Sequence, residues 1–463
     1  MNRRRALQQL SLLTASAFLP AISIGKDNTL PYGISGAQVY SNGQLEEYFV
    51  GITAEGQIRL SKEALPVAQL IEAQGKVLSA GFIDILGDNS ASPEQTYSIF
   101  EKYKLADGLS TVLQMHGGSG NPKQYYQHFG RLPHYVNYGV STKVMLIRLS
   151  YNTLAARLQA VRESVEAGAL GVSHSIEYQP TPYEEVLAYA KIAAQYQVPF
   201  CLHLRYSSKE RELEGVREAV KIARASGAHV HIAHLHSTGG TFAMQQALDI
   251  LHTARAQGLS MSACIYPYTY WATYLHSKRF DEGWQQMYGL SYADLTVVGT
   301  GEKLSKARFE QLRRQPGILV AVPEGTMPFD KTIDLALQTD FCMIGSDGGI
   351  EREPRANSHP RGAGCFATAI AHGLKIGISL EKMLDKVTRL PANLVAPALS
   401  RRGDIQEGYI ADLTLFDPKT IQGKATVTNP NVFSEGIEAV FINGKLAFQN
   451  KKIVLQAGKA IRR

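Results

Sequence analysis

The pattern of apolar and polar residues changes twice along the chain and divides it into three parts. From 24 to 80 the chain consists of short β-type runs broken by turn signals such as Ser41-Asn42-Gly43, and no amphipathic helix is indicated. From 81 to 400, short apolar runs alternate with stretches whose apolar residues recur every three or four positions. From 401 to 463 the β pattern returns around the turn Asn443-Gly444. The pattern therefore predicts an α/β centre with a β region at each end.

Eight apolar runs in the central part have the length of parallel strands. They are residues 81–87, 110–116, 143–150, 168–176, 199–206, 229–236, 260–268 and 341–349. Eight strands separated by helices make a closed (β/α)8 barrel, the TIM barrel, the economical prediction. The stretch from about 269 to 340 is too long for one crossover, so we interpret it as an insertion that caps the barrel mouth. The two β regions are expected to join into one small β-sandwich beside the barrel.

The first 23 residues have the order of a secretory signal peptide. Arg3, Arg4 and Arg5 precede a short apolar run that ends in small residues. The paired arginines resemble a twin-arginine signal, which exports proteins already folded. The apolar run is too short to span a bilayer, and no later segment reaches that length. The sequence therefore predicts a periplasmic or secreted protein without a membrane span.

Composition narrows the class of protein. Of the 463 residues, 44% are hydrophobic and 19% are charged, which excludes a disordered, collagen-like or coiled-coil chain. The net charge of +7 falls to +4 once the three leader arginines are removed, and no segment combines basic with aromatic residues, so no nucleic-acid partner is indicated. The four cysteines form no CxxC pair, which argues against a zinc knuckle or a disulfide scaffold. A small-molecule substrate is the expected partner.

Polar residues at the C-terminal ends of the predicted strands are the candidates for chemistry, because a barrel carries its active site there. On the fifth strand, alternation places Cys201 and His203 on the face opposite the apolar residues, so His203 points into the lumen. On the sixth strand, His234 and His236 share one face, and the eighth strand ends at Asp347. Two imidazoles and a carboxylate that converge from separate strands suit a divalent metal such as zinc.

The same alternation assigns the remaining histidines of the sixth strand to a different role. Val230, Ile232 and His234 share the face that we interpret as luminal, and His229 and His231 lie on the opposite face near the start of the strand. We therefore interpret His229 and His231 as structural.

Motifs in a fixed order along nearly the whole chain after the leader resemble the D-aminoacylase (N-acyl-D-amino-acid deacylase) group of the amidohydrolase superfamily. The matching segments are Gly75-Lys76-Val77, Gly81-Phe82-Ile83-Asp84, Gly168-Ala169-Leu170-Gly171 with Glu177-Tyr178, His203-Leu204-Arg205, Ala233-His234-Leu235, Tyr266-Pro267-Tyr268, Gly345-Ser346-Asp347-Gly348, His359-Pro360-Arg361, Arg402-Gly403-Asp404-Ile405 and Ala411-Asp412-Leu413 with Phe416-Asp417-Pro418. The resemblance implies a metal-bearing barrel with a β-sandwich, in which His203 and His234 bind the metal and Asp347 is the catalytic acid/base.

The chain departs from the family at two strand ends. After the first strand the family has a His-x-His pair, and this chain has Leu86 and Asp88. After the second strand the family has an Asn-Cys-Gly run whose thiolate binds the metal, and this chain has His116 and then Gly117. Strict alternation turns position 116 away from the face used by 117, so a replacement by His116 requires a bulge or a turn.

We expect one zinc ion, bound by His203 and His234 with a third ligand from His116, Asp88 or Asp347. The third ligand stays open at this point. Two imidazoles and one further side chain still leave a coordination position open for catalysis.

The candidate substrate-binding residues are Arg205, His236, Tyr268, Arg361, Glu177 and Tyr178. Arg205 follows His203 on the same strand face, and Arg361 lies in the family's His-Pro-Arg segment. An arginine fork binds a carboxylate with two parallel hydrogen bonds, so we expect an anionic substrate. The alternative is that both arginines pair with internal acids such as Glu177 or Glu351 and stabilise the rim.

Three functions follow from these residues. The leading prediction is a metal-dependent hydrolase that cleaves a non-peptide C–N amide bond of a small N-acyl amino acid, in which Asp347 takes the water proton. The second is a metal-poor lyase or isomerase on the same barrel, with His203, His234 and Asp347 as acids and bases. The third is a periplasmic ligand-binding pseudoenzyme that retains only the cleft.

Overall fold

The computed structural model describes residues 29–87, 93–315, 317–350 and 359–463. The predicted leader at 1–23, the candidate ligand Asp88 and the candidate acid Glu351 lie outside these residues. Among the helices in the described ranges, none combines the length and the apolar character needed to cross a membrane.

Strands and helices alternate through the centre of the chain, and both ends are β-structured. The strands are β1 (Leu30–Ser35), β2 (Gln38–Ser41), β3 (Gln44–Glu47), β4 (Phe49–Ile52), β5 (Ile58–Ser61), β6 (Val67–Glu72), β7 (Val77–Ala80), β8 (Phe82–Asp84), β9 (Leu109–Ser119), β10 (Asn137–Lys143), β11 (Val172–Ser175), β12 (Phe200–His203), β13 (Val230–Ile232), β14 (Met261–Ile265), β15 (Ala272–Tyr274), β16 (Thr296–Val297), β17 (Leu319–Ala321), β18 (Cys342–Ile344), β19 (Leu413–Phe416), β20 (Ile437–Ile442), β21 (Lys445–Gln449) and β22 (Lys452–Ile453). The α-helices are α1 (Pro93–Ala106), α2 (Pro122–Phe129), α3 (Val144–Ser150), α4 (Leu154–Glu166), α5 (Tyr183–Gln195), α6 (Glu212–Ser226), α7 (Met244–Ala256), α8 (Trp284–Tyr288), α9 (Lys306–Arg313), α10 (Ile333–Gln338), α11 (Arg361–Lys375), α12 (Leu380–Val387) and α13 (Arg389–Leu394). Short 3₁₀ helices lie at Leu235–Ser237, Lys278–Phe280, Tyr292–Asp294 and Phe329–Lys331.

The two chain ends form one β-sandwich, as the sequence predicts. One sheet has four strands in the order β5-β4-β1-β6, and the other has seven in the order β22-β21-β20-β19-β7-β2-β3. The seven-stranded sheet joins the ends because β19 pairs antiparallel with β7, with Leu413 opposite Ala80. Alternate residues of the two sheets, among them Ile34, Leu78 and Phe441, pack into one shared apolar core.

The central part is a parallel eight-stranded barrel, which confirms the predicted fold class. The strand order is β18-β14-β13-β12-β11-β10-β9-β8, and a parallel bridge between Gly87 and Gly348 connects the two outer strands. Residues such as Val230 and Ile232 pack outward against the helices. A second apolar cluster, which includes Leu113 and Cys201, fills the barrel interior. The lumen is therefore a packed core except at the C-terminal ends of the strands.

One predicted strand proves to be a helix. The third barrel strand is β10, and residues 144–150 of the predicted strand 143–150 form α3. In α3 the buried residues Val144 and Ile147 are three positions apart, whereas Leu146 and Leu149 are 42% and 75% exposed. This spacing suits a helix with one buried face. The true strand is hard to recognise because buried polar residues interrupt its apolar pattern.

The insertion predicted at about 269–340 has its own small sheet of three strands, in the order β15-β17-β16. Its residues Trp271, Tyr274 and Leu319 line a cavity together with residues from the ends of the barrel strands. Residues of the insertion therefore form one wall of the barrel mouth.

A buried ion pair lies where the first barrel strand, β8, meets the end of the last one, β18. Lys104 Nζ lies 2.9 Å from Asp84 Oδ2 and 2.8 Å from Ser346 Oγ, and the side chains of Lys104 and Asp84 are fully buried. The backbone N–H groups of Leu86 and Ser346 donate to the same carboxylate, each at 3.0 Å. Asp84 therefore links the first strand, the first helix and the end of the last strand.

We expect Lys104→Met to lower the free energy of unfolding by about 3–5 kcal/mol, because it leaves the Asp84 carboxylate buried without its counter-charge. Chemical denaturation measures the change. The matched control is Lys102→Met on the same helix, where the lysine lies over the Tyr135 ring, and we expect a loss below about 1 kcal/mol there. Equal stability of the two variants would show that the Lys104–Asp84 pair does not stabilise the closure of the barrel.

Candidate metal centre and active site

A cavity of about 510 Å³ opens at the C-terminal ends of the barrel strands. Its floor includes His116, His203, His234 and Asp347, and its outer wall comes from the insertion. The position agrees with the rule that barrel enzymes carry their chemistry at this end. The structure therefore brings four of the sequence-predicted site residues into one cavity.

Three imidazoles converge on one point in this cavity. One ring nitrogen from each of His116, His203 and His234 lies within 4.8 Å of the other two. His203 Nδ1 is 3.3 Å from His234 Nε2. Two nitrogens bound to a common tetrahedral zinc at about 2.0–2.1 Å would be separated by about 3.3 Å. The His203–His234 pair therefore has the spacing that one tetrahedral zinc ion requires, and His116 lies near enough to be the candidate third ligand.

His116 reaches the cavity because β9 leaves regular pairing. Gln114 pairs with Val140 and Ser119 pairs with Thr142, so β9 contains three more residues than β10 over this interval. Gly118 lies in the bulge with a φ of +77°, and a Cβ atom at this position would lie 2.3 Å from the Ser141 carbonyl oxygen. The bulge is the irregularity that the sequence requires if His116 is to replace the thiolate.

His234 reaches the cavity by a different route from the one predicted. Strand β13 ends at Ile232, and its residues Val230 and Ile232 face the helices rather than the lumen. His234 itself has a φ of +32°, a left-handed conformation that redirects its side chain into the lumen. The assumption of unbroken alternation on the sixth strand was therefore wrong, although the histidine that it selected does line the cavity.

The same shift changes the surroundings of the neighbouring histidines. His231 is fully buried and its Nδ1 is hydrogen-bonded to Ser262 Oγ at 2.8 Å, and His229 Nε2 is 2.7 Å from the same oxygen. Both rings thus belong to a buried hydrogen-bonded group, in agreement with the structural role predicted for them.

The hydrogen bonds behind the imidazoles select the tautomers that a metal needs. His203 Nε2 donates to Glu177 Oε2 at 2.8 Å, which leaves the Nδ1 lone pair free to face His234. His234 Nδ1 donates to Ser237 Oγ at 3.1 Å, which leaves Nε2 free. Burial lowers the pKa of His203 and of His234, so both rings are neutral at ordinary pH. Neutral, oriented imidazoles are the form that binds a metal.

Asp347 stands beside the three imidazoles in a strained backbone conformation. Its φ is +47°, and its Oδ1 lies 3.6 Å from His116 Nδ1. Arg361 Nη2 lies 3.0 Å from Asp347 Oδ2. Burial alone would raise the pKa of Asp347, but the charge of Arg361 outweighs it and holds that pKa well below its usual range. Asp347 is therefore ionised, which is the form of a carboxyl group that can accept a proton.

Gly348 allows the approach of Arg361 to this carboxylate. A Cβ atom at position 348 would lie 2.8 Å from the Arg361 backbone carbonyl, so the first residues of α11 pack directly on the Asp347-Gly348 turn. A side chain at position 348 would therefore clash with the backbone of Arg361, which explains the glycine at this position of the family motif.

Glu177 links the imidazoles to the insertion. Its second oxygen accepts a short hydrogen bond from Ser207 Oγ, and Arg279 Nη2 lies 3.4 Å from Oε2. Burial by itself would raise the pKa of Glu177, but Arg279 and His203 outweigh it and lower the pKa to about 2. The residue that follows, Tyr178, lines the cavity with its ring centroid 4.6 Å from that of His203. Glu177 therefore orients His203 through their hydrogen bond. Glu177 itself does not line the cavity.

Arg279 is a site residue that the sequence does not reveal. It lies on the 3₁₀ turn of the insertion, lines the cavity and donates to the Ser237 carbonyl oxygen at 2.9 Å. No strand end or motif marks this position, and the only signal in the sequence is that it falls within the insertion predicted to cap the mouth.

The structure corrects the role predicted for Arg205. Its guanidinium forms two hydrogen bonds to Glu218, of 2.8 and 2.7 Å, and it is not among the cavity-lining residues. The physical reason is that β12 ends at His203, so alternation no longer applies two residues later. Arg205 thus pairs with an internal acid, although with Glu218 rather than Glu177 or Glu351.

Two further candidates lie behind the cavity wall rather than in it. His236 is fully buried on a 3₁₀ turn with its ring 4.1 Å from that of Tyr266, and burial lowers its pKa to about 3. Tyr268 is buried and its hydroxyl points to the Pro360 carbonyl oxygen at 3.4 Å. Neither lines the cavity, so the structure does not place them against a substrate. Arg361, by contrast, lines it.

The position of the family's first-strand histidine pair holds an apolar side chain. Leu86 is 2% exposed and packs in the apolar cluster inside the barrel with Leu113 and Cys264. An aliphatic side chain cannot bind a metal, so this position supplies no ligand to a second ion.

Comparison with known proteins places the chain in a family. The model of the amidohydrolase family matches residues 105–447. An N-acyl-D-glutamate deacylase of Alcaligenes xylosoxydans xylosoxydans is 25% identical over 86% of this chain and 89% of its own length. A D-aminoacylase of the same organism is 27% identical over 67% of this chain and 65% of its own length. The resemblance expected from the motifs is confirmed.

The fold has close counterparts among solved structures. The crystal structure of N-acyl-D-glutamate deacylase from Bordetella bronchiseptica, complexed with zinc and a phosphonate mimic of the tetrahedral intermediate, superposes with a TM-score of 0.79. It is 22% identical and covers 94% of this chain and 100% of its own. The barrel with its β-sandwich is therefore the fold of that deacylase.

We expect His116→Ala to weaken zinc binding by about 10²-fold or more, because it removes one of three protein ligands, whereas His116→Cys retains binding since a thiolate is also a zinc ligand. Competition with a chromophoric chelator measures both affinities. His128→Ala, on α2 and away from the cavity, is the control. Unchanged affinity in His116→Ala would remove His116 from the ligand set.

Proposed function

Because the chain belongs to the amidohydrolase family, we propose that it hydrolyses the amide bond of a small N-acyl-D-amino acid and that a single zinc ion serves the reaction. The observation that carries the proposal is the convergence of His116, His203 and His234 on one point beside Asp347. The deacylase names of its relatives support the substrate class.

The donor set supports one ion rather than two. Three imidazoles suffice for a catalytic zinc with an open position. A second ion would need ligands where this chain has Leu86. An ion held by the three imidazoles would polarise the scissile carbonyl and lower the pKa of a water molecule.

The residues around the imidazoles carry out the other parts of the proposed reaction. Asp347 accepts a proton as the water oxygen bonds to the carbonyl carbon, and it passes that proton to the amide nitrogen as the C–N bond breaks. The products are the carboxylic acid and the free amino acid. Glu177 and Ser237 keep His203 and His234 in the required tautomers. The insertion limits the access of solvent to this end of the barrel.

Arg361 is the residue that we propose for the α-carboxylate of the substrate. It is 2% exposed, lines the cavity and uses one nitrogen for Asp347. Its Nε is buried without a hydrogen-bond partner among the described residues. A guanidinium carries five N–H donors, so Arg361 can bind a carboxylate while it holds Asp347. This assignment retains the anionic substrate and the role of Arg361 predicted from the sequence, and it omits Arg205, which pairs with Glu218 outside the cavity.

The two alternatives, a metal-poor lyase or isomerase and a ligand-binding pseudoenzyme, are not favoured. Neither needs three imidazoles that converge on a common point. The curated relatives named above are deacylases, and neither alternative accounts for that activity.

We expect the zinc-loaded protein to release acetate from an N-acetyl-D-amino acid and to lose this activity when the metal is removed by a chelator and regain it when zinc is restored. The L-enantiomer is the control, and we expect it to react at least about tenfold more slowly. Activity that survives complete removal of metal, or no hydrolysis of any N-acetyl amino acid by the zinc-loaded protein, would contradict the proposal.

We expect Asp347→Asn to lower kcat by about 10²-fold or more, because an amide cannot accept the water proton. Steady-state kinetics measure the loss, and melting curves show whether the fold is intact. Asp334→Asn is the matched control, since Asp334 also pairs with a histidine, His372, but outside the cavity. A kcat close to that of the parent would assign Asp347 a structural role.

A further inference from the structure

Exposed apolar side chains are concentrated in one short stretch of the chain. Ten large hydrophobic residues are exposed in the part of the chain that the structure describes, and four of them, Leu146, Leu149, Tyr151 and Leu154, lie within nine residues. Leu149 is the most exposed of the ten, at 75%. Single exposed apolar residues are normal on a protein surface, whereas a cluster marks a place where an apolar ligand or partner binds. We call these four residues the α3 patch.

The α3 patch is continuous with the cavity at the barrel mouth. Helix α3 begins directly after β10, at the C-terminal end of a barrel strand, and its second residue, Met145, lines the cavity. The Met145 carbonyl oxygen accepts a hydrogen bond of 3.3 Å from Gln179 Nε2, which holds this turn of the helix at the mouth. Leu149 follows Met145 by four positions, so the two side chains are neighbours on one helix face. An apolar strip therefore runs from the cavity to the outer surface.

The cavity itself has apolar walls at the start of this strip. Besides Met145, its lining includes Trp271, Ala272 and Leu319 from the insertion. The insertion leaves the barrel after β14, and β10 lies four strands away in the order of eight, on the opposite side of the barrel. The insertion therefore forms a wall across the cavity from Met145 and leaves the outer face of α3 uncovered, in agreement with the exposure of Leu149.

Charge also favours an uncharged ligand on this face. The α3 patch contains no charged residue, and the one charged residue of α3, Arg148, donates from Nε to Glu185 Oε1 at 2.8 Å. Arg157, on the following helix, donates to the same oxygen at 3.0 Å and to the Tyr151 carbonyl oxygen. A helix that binds a membrane surface carries Lys and Arg side chains that face the lipid headgroups. The α3 patch therefore suits an alkyl chain better than a charged surface.

A second, shallow cavity adjoins the patch. Its volume is about 220 Å³, and Gly120, Pro122, Tyr151 and Ala160 are among its lining residues. A Cβ atom at Gly120 would lie 2.9 Å from Leu146 Cβ, so the backbone packs against Leu146 with no side chain between them. The surface beside the patch is therefore concave, which suits a slender ligand rather than a flat protein surface.

We propose that the acyl group of the substrate is a linear apolar chain, and that Met145 and the α3 patch bind the part of it that extends beyond the barrel mouth. The inference rests on the proposed deacylase function and specifies the acyl group. The reaction is unchanged. Water adds to the acyl carbon, the C–N bond breaks with transfer of a proton to nitrogen, and the products are a linear carboxylic acid and the free amino acid.

A series of N-acyl-D-leucines with acetyl, butanoyl, hexanoyl and octanoyl groups tests the inference. The zinc-loaded enzyme is assayed at concentrations below micelle formation. We expect kcat/KM to rise by about twofold for each added methylene, because a chain on an exposed helix face keeps one side in water and gains about half of the full transfer energy. The octanoyl compound should therefore exceed the acetyl compound by at least about tenfold.

Leu149→Gln tests the α3 patch directly, since such an exposed side chain is replaceable without loss of the fold. We expect the octanoyl-to-acetyl ratio of kcat/KM to fall by about threefold or more, because an amide replaces apolar contact area. Leu70→Gln is the matched control. Leu70 is a leucine of β6 in the β-sandwich, it is 48% exposed, and it lines neither cavity, so we expect the parent's ratio there.

An octanoyl-to-acetyl ratio near or below one in the parent enzyme would overturn the inference, and so would a ratio that Leu149→Gln and Leu70→Gln leave equally intact. Light scattering at the assay concentration tests the other occupant, a second copy of this chain. A molar mass that falls only in Leu149→Gln would assign the patch to contact between copies and would also overturn the inference. In all these cases continued zinc-dependent hydrolysis of N-acetyl-D-leucine leaves the deacylase function standing, whereas hydrolysis of none of the four compounds would overturn both.

Discussion

The site depends on one geometric constraint, which is that side chains of a β-strand alternate between the two faces of the sheet. Regular strands would bring His203 into the lumen and leave His116 and His234 against the helices. Two irregularities of the backbone turn these side chains into the lumen. One is the bulge with Gly118 in β9, and the other is the left-handed conformation of His234. The bulge lies inside β9, since Ser119 pairs with Thr142 beyond it, and His234 follows the end of β13 at Ile232. The candidate metal centre is therefore built at points where the regular strand geometry is interrupted.

This chain differs from the family pattern at two positions where the family has metal ligands, 116 and 86. An imidazole at position 116 takes the place of the family's thiolate, and it serves the same group of ligands as His203 and His234. Leu86 takes a histidine's place and joins the apolar interior. The first change places a third imidazole beside the other two, and the second leaves an apolar side chain where the family has a ligand. Both changes are in line with the proposed hydrolase that uses a single zinc ion.

The insertion contacts the residue that hydrogen-bonds to one of the candidate metal ligands. Its Arg279 lies against Glu177, which in turn fixes the tautomer of His203. The same guanidinium has a donor free of partners in the described structure. A ligand that binds beside Arg279 in the cavity is therefore two contacts away from an imidazole. The first contact joins Arg279 to Glu177, and the second joins Glu177 to His203. Low solvent access makes each of these contacts stronger than it would be in water.

The sequence by itself determined the fold class, because strand and helix periodicities and the change to β patterning at both ends are local properties of the chain. It also predicted His203, His234 and Asp347 as site residues, which line one cavity in the structure, since residues at strand ends and family motifs can be recognised without coordinates. It left open the third ligand, it misassigned 144–150, and it gave Arg205 a role that Glu218 prevents. Only the tertiary structure showed that His116 lies beside the other two imidazoles, that 144–150 is helical, that Arg205 pairs with Glu218, and that Arg279 lines the cavity. The physical reason is that a bulge, a left-handed turn or the partner of an arginine depends on atoms contributed by residues far apart in the chain, and a local pattern carries no record of them.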